Sequence, residues 1–148
     1  MLLGDHRQGL LRGDRTHLVK VLASLRPIEH LVVGTVARYQ SGGAWEARGL
    51  PSPNVSSSSY VRYLESAGSR RMPSWTSLDL LVSYEIPLGR AGLTLEARGF
   101  NVFDAQSALE VDDRLILGRG TVPDNPSFGQ ATVTAPPRSI VLSALLRF

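Results

Sequence analysis

Cysteine is absent from the 148 residues, so the chain holds neither a disulfide framework nor a thiolate metal site. Lysine is nearly absent: fifteen of the sixteen basic residues are arginine, and Lys20 is the exception. The arginines stand one or two at a time, Arg70-Arg71 being the densest pair. Nucleic-acid binders concentrate basic charge on one face or helix. The net charge of +3 therefore reads as dispersed, solvated arginine, with no nucleic acid expected as a partner. No stretch approaches the roughly 20 apolar residues of a membrane-spanning helix. The opening MLLGDHRQGLLRGDR is broken by Asp5 and Arg7, so no apolar core of a secretory signal is expected in the chain as written. Histidine is scarce, and His6, His17 and His30 stand at spacings that fit no metal motif. No metal and no cofactor are expected.

What the sequence has is alternation. Its hydrophobic share of 43% and charged share of 20%, with Leu and Val abundant, are those of one folded domain. Five segments repeat with a period of two. The first, HLVKVLASLR, sets Val19, Val21, Ala23 and Leu25 against Lys20, Ser24 and Arg26, with Leu18 and Leu22 blurring the polar side. The second, LVVGTVARYQ, sets Leu31, Val33, Thr35, Ala37 and Tyr39 against Val32, Gly34, Val36, Arg38 and Gln40. The third, SLDLLVSYEI, is the cleanest: Leu78, Leu80, Val82, Tyr84 and Ile86 oppose Ser77, Asp79, Leu81, Ser83 and Glu85. The fourth, LTLEARGFNVF, sets Leu93, Leu95, Ala97 and Gly99 against Thr94, Glu96 and Arg98, and loses its rhythm after Phe100. The fifth closes the chain with Ile140, Leu142, Ala144, Leu146 and Phe148 in one phase. Period-two patterns of about ten residues predict strands with one apolar and one mixed face. Helical spacing is poor, and Pro27, Pro87 and Pro136-Pro137 sit at segment edges, where strands tolerate them.

The connections alternate too. Only PIEH separates the first two segments and only PLGRAG the third and fourth, whereas Ser41 to about Ser74 and Asp104 to about Pro137 are long and rich in Gly, Pro and Ser. Residues 1–16 read as irregular chain. All short turns then fall at one end of an up-and-down sheet and all long loops at the other. Loops beyond about 12–15 residues are uncommon in compact soluble domains, but this asymmetry is ordinary in outer-membrane barrels. The expected fold is all-β: an up-and-down, antiparallel, curved sheet of about five strands in sequential order. It would be a partial transmembrane β-barrel with long outer loops, its first and last strands left as edges. Tyr39, Trp75 and Phe103 fall beside long loops and Tyr84 at an opposite strand end, as aromatic girdles at two interfaces would. Arg38, Asp79, Glu85, Glu96 and Arg98 fall in the polar phase, which would face the lumen.

Catalytic readings find little. Asp79 and Glu96 are conceivable paired carboxylates, but charges pairing across neighbouring strands of a polar barrel interior account for them better. GRAG and LGRGT are too short and poorly flanked for phosphate loops and read as turns. The loop from Ser41 to Ser74 carries Trp45, Tyr60, Arg62, Tyr63 and Glu65, a set open to two readings: contact with a glycan or metal chelate, or a plain surface loop.

Several strings resemble TonB-dependent outer-membrane receptors of the Oar-like type. GDRTHLVKVLASLRP resembles their strand opened by Asp-Arg-x-His, and YQSGGAW a strand end leading to a long outer loop. RMPSWTSLDLLVSYEIPL resembles the loop return, GFNVFD the Asn-x-Phe near the end of the penultimate strand, and SFGQATVTAPPRSIVLSALLRF the terminal segment. The matches run in the family's order from Gly13 to Phe148. The resemblance implies an outer-membrane location, energised uptake of a scarce ligand such as a carbohydrate or siderophore, and lipid as a partner. It also implies a barrel-assembly signal in Ile140, Leu142, Ala144, Leu146 and Phe148, read by the assembly machinery. Barrels of this class close with about 22 strands around a plug, so residues 17–148 are expected to be C-terminal strands of a larger wall. Contact with TonB would pass only through a plug this chain does not show. The competing expectation is a small β-sheet binding or structural module whose long loops meet a partner.

Overall fold

The computed structural model describes residues 6–49, 62–118 and 122–148. Among them all regular structure is strand. In chain order these are β1 (Leu18–Ile28), β2 (Leu31–Gln40), β3 (Ala44–Trp45), β4 (Arg48–Gly49), β5 (Arg62–Tyr63) and β6 (Arg70–Arg71). There follow β7 (Trp75–Leu88), β8 (Ala91–Phe100), β9 (Ala108–Val111), β10 (Arg114–Ile116), β11 (Ala131–Thr134) and β12 (Ser139–Arg147). Contacts divide the chain into two units. One holds the described parts of 1–16, 41–74 and 107–134, and the other 17–40, 75–106 and 135–148.

The second unit is a five-stranded sheet in the order β1-β2-β7-β8-β12, antiparallel at every pairing. The long strands are consecutive in space, so the sheet is up-and-down. The alternating segments expected from sequence are its five strands, and β2 has the expected limits. Three strands run further toward their short turns than expected, β8 by beginning at Ala91. β7 continues through Pro87 to Leu88, because beyond Tyr84, the partner of Leu31, it has β8 on one side only. A proline there removes no donor from the β2 ladder. On the sheet edge, β1 passes Pro27 through a register shift between Leu25 and Ile28, which absorbs the missing N–H as a bulge. The two hairpins therefore close through Glu29–His30 and Gly89–Arg90. Each needs one left-handed residue, supplied by His30 at φ 63 and Gly89 at φ 69.

The register joins the apolar phases of all five strands on one face. Val21, Ala37 and Leu78 stand in line. So do Leu25, Val33, Val82, Ala97 and Leu142. This face is uncovered: Leu142 is 76% exposed and Ile140 69%. Buried residues of the sheet unit are Ser77, Asn101 and Ala135, none of them from the apolar face. The sheet thus has an apolar side without a core behind it.

The other unit carries the core. Ala44, Trp45, Ala47, Val111 and Ile116 are its buried apolar residues. The long connections, expected to be irregular, contain short pairings: β3 with β6, β4 with β5 and β10, and β9 with β11. The β4–β10 pairing is parallel, unlike those of the main sheet. Residues 6–16 join this unit through backbone bonds such as Gly13 N–H to the Ala44 carbonyl, 2.8 Å. Gly42 permits one close approach, because a Cβ there would lie 1.5 Å from the Met72 carbonyl oxygen.

Candidate functional site

Strand alternation puts Arg38, Asp79, Glu85, Glu96 and Arg98 together on the face opposite the apolar one. Asp79 is the most connected. One carboxylate oxygen accepts from the Arg38 guanidinium at 2.6 Å, and the other from the Asn101 amide at 3.0 Å. Arg38–Asp79 bridges β2 and β7, the cross-strand pairing expected from sequence. Glu96 instead pairs along its own strand with Arg98, at 2.6 Å. Glu85 reaches Arg147 at 3.5 Å. Their strands lie on either side of β8, and Gly92, which pairs with both Pro87 and Arg147, adds no side chain at that level. Asp79 and Glu96 are each tied to an arginine and do not form a carboxylate pair.

The apolar face carries Tyr39 and Tyr84 near opposite ends of the strands, both half-exposed. Its hydroxyl on β2 is satisfied internally, Thr35 donating to the Asp79 carbonyl at 3.1 Å. Two aromatic positions differ from the girdle expectation. Trp75 pairs with Gln40 and so belongs to the polar phase. Phe103 lies past the end of β8, in the turn between the left-handed residues Asn101 and Asp104, and is 69% exposed. Trp75 continues the phase of Ser77 and Asp79, so its face follows from the alternation, whereas Phe103 falls where pairing and alternation have both stopped. Ile140, Leu142, Ala144 and Leu146 share the apolar face of β12, and Phe148 follows the strand fully exposed.

In the loop unit the structure brings together groups that sequence reasoning missed. Glu46 is 1% exposed, yet Arg48 and the Gly68 N–H (3.0 Å) both donate to it. Arg48 also reaches Asp113 at 3.4 Å, and Asp113 is ion-paired with Arg12. The chain Arg12–Asp113–Arg48–Glu46 thus ties three sequence-distant segments together, so the buried charges are paired. Arg70 lies 5.3 Å from the Trp45 ring centre and 5.2 Å from that of Phe128. Arg70 also bonds Glu65 at 2.7 Å, whose same oxygen accepts the Ala47 amide at 2.6 Å. Trp45, Arg62, Tyr63 and Glu65 are therefore parts of a packed unit, while Tyr60 lies outside the described residues. No repeating pattern announces such contacts: Arg48–Glu46 and Arg70–Glu65 are local but aperiodic, and the others join residues about twenty to a hundred apart.

Two carboxylates here are shifted. Burial would raise the pKa of Glu65, but the Arg70 and Ala47 hydrogen bonds, with the charge of Arg70, bring it below its usual value. Arg114's guanidinium, then the Asn125 amide, hold Asp112 well below the ordinary carboxylate range. A depressed folded pKa gives stabilisation that is present above the unfolded value and lost as pH falls through the folded one. Amide hydrogen exchange should therefore show the loop unit loosening below about pH 4, while the sheet ladders keep their protection. Glu65→Gln should remove part of that pH dependence.

Among the described residues no group of three or more His, Asp and Glu converges as a metal site. Nor is any helix long and apolar enough to cross a membrane, which says nothing of strands. No family model, curated protein or solved structure matches this chain.

Proposed function

We propose that the chain is a section of outer-membrane β-barrel wall, of the TonB-dependent receptor type that its strings resemble. In the complete barrel it would contribute lipid-facing surface, a polar lumen lining and loop structure to the uptake of a scarce ligand. The observation that carries the proposal is the five-strand apolar face, exposed on every strand and backed by a face that gathers the charges. A strand of about ten residues tilted by about 40° rises roughly 25 Å, the height of a barrel's apolar band. β1, β2, β7, β8 and β12 have 11, 10, 14, 10 and 9 residues. The outer edges of β1 and β12 have no strand partner among the described residues. Unpaired edges in water are an aggregation hazard, but in a barrel they are where the wall continues. β12 presents such an edge with its apolar stripe, the form in which assembly machinery would take a strand by addition.

Absence of cysteine makes the test direct. Single cysteines at residues 78 to 83 of β7 would be spin-labelled in bilayers containing the full chain. Oxygen, which concentrates in lipid, should relax labels at Leu78, Leu80 and Val82. An aqueous nickel chelate should relax those at Asp79, Leu81 and Ser83. Equal access at odd and even positions would overturn the membrane placement. The core of the loop unit favours a second reading, a binding module in which the sheet is only a support. A monomeric, cooperatively melting product in detergent-free buffer would favour that reading over the first.

A further inference from the structure

We propose that the loop unit contains a binding site for a small organic anion with an apolar body, anchored by Arg15. The site is a cavity of about 270 Å³ formed where the unit's three chain segments meet. Residues 1–16 supply Arg12 and Arg15, residues 41–74 supply Trp45 and Met72, and residues 107–134 supply Leu109 and Val111. It is a product of the folded unit and of no single loop.

The charges decide the ligand's sign. Arg12 is neutralised by Asp113. Arg15 is half-buried and forms no ion pair among the described residues; its Nη1 donates to the neutral carbonyl of Ser41 at 3.1 Å. Its charge and remaining donors are left for another acceptor, and a guanidinium is matched best by a carboxylate accepting two parallel bonds. Trp45, Met72, Leu109 and Val111 form an apolar wall beside the arginines, and Trp45 is held in place by the Arg70 and Phe128 contacts. A fixed aromatic wall lowers the ordering cost of binding. Glu110 also lines the cavity, without an ion pair among the described residues, but it is exposed and so more screened by water than half-buried Arg15. Its like charge would weaken an anion's hold. The volume falls just below the roughly 300–1,000 Å³ of drug-sized ligand sites, so a small aryl or branched-alkyl carboxylate fits the description.

This inference rests on the loop unit alone and does not depend on where the sheet lies. The test uses the full chain carrying Trp75→Phe, so that Trp45 is the sole tryptophan reporter. Phenylacetate is titrated beside phenethylammonium, which has the same ring and the opposite charge. Saturable quenching or a shift of Trp45 emission is expected with phenylacetate and not with phenethylammonium. Arg15→Gln should weaken phenylacetate about ten- to a hundredfold. Glu110→Gln should tighten it several-fold, a gain that misfolding does not produce. An unchanged near-UV circular dichroism spectrum shows that Arg15→Gln keeps the fold. The proposal is overturned if folded protein shows no saturable phenylacetate binding, if phenethylammonium binds as well, or if Arg15→Gln binds as tightly as the parent.

Discussion

Val82→Arg should destabilise the bilayer-inserted chain by about 2–4 kcal/mol, the cost of arginine on a barrel's lipid face near the midplane, whereas Ser83→Arg should be nearly neutral. The two residues are adjacent in the middle of β7, with the same partner strands, β2 and β8, on either side. Val82 lies between Val33 and Ala97 on the apolar face. Ser83 lies between Val32 and Glu96 on the polar face, so an arginine there would meet an opposite charge directly across the strand pair. Both variants add one positive charge, and the different strand propensities of valine and serine account for at most about 1 kcal/mol. The larger difference is the medium touching each side. Denaturant titration of the two variants in the same vesicles measures the difference directly. A gap of more than about 1.5 kcal/mol supports lipid contact, being larger than what exposed strand substitutions ordinarily span. Equal midpoints would mean that both faces see water, and the barrel-wall reading would fall.

The sheet was legible because its information is local and periodic. Each long strand repeats its choice of phase four or five times, so single blurs such as Leu22 do not hide it. Register follows from the same phase once the hairpin turns are short. The loop unit was not legible for the complementary reason. Its pairings are two to four residues long and join positions such as Ala44 and Arg71, or Arg48 and Arg114. Two residues have no period. The same applies to the charges: Arg38 and Asp79 were placed on one face by alternation, but their bond partners depended on register. Glu96 was expected to look across to a neighbouring strand, yet Arg98, two residues on and on the same face, is the nearer cation. Glu46 reads in the sequence as an ordinary solvated carboxylate, and only the fold puts Arg48 and the Gly68 amide around it.

Asn101→Ala should unfasten the junction between the end of β8 and the start of β12 at a cost of about 3–5 kcal/mol, from orphaned hydrogen-bonding groups and a left-handed backbone. Asn101 is 6% exposed and has φ 46, a conformation asparagine tolerates better than alanine. Its side-chain N–H donates to the Pro136 carbonyl at 2.7 Å, and its side-chain oxygen accepts the Ala105 amide at 3.1 Å. Its own backbone amide holds Asp79, which in turn holds Arg38. One residue therefore links β2, β7, the turn after β8 and the segment entering β12. Alanine leaves the Pro136 carbonyl and the Ala105 amide without that partner and holds the left-handed backbone less readily than asparagine does. Asn101→Gly separates the two effects, since glycine removes the bonds but relieves the backbone, and should recover about 1 kcal/mol of the loss. Hydrogen exchange locates the damage. Amides of the β8–β12 ladder nearest the junction, Gly99 with Ile140 and Ala97 with Leu142, should lose protection before those of the β1–β2 ladder. If Asn101→Ala costs less than about 1 kcal/mol, the range of an ordinary surface change, or loosens all ladders alike, then the junction is held by strand pairing itself and Asn101 is only a turn residue.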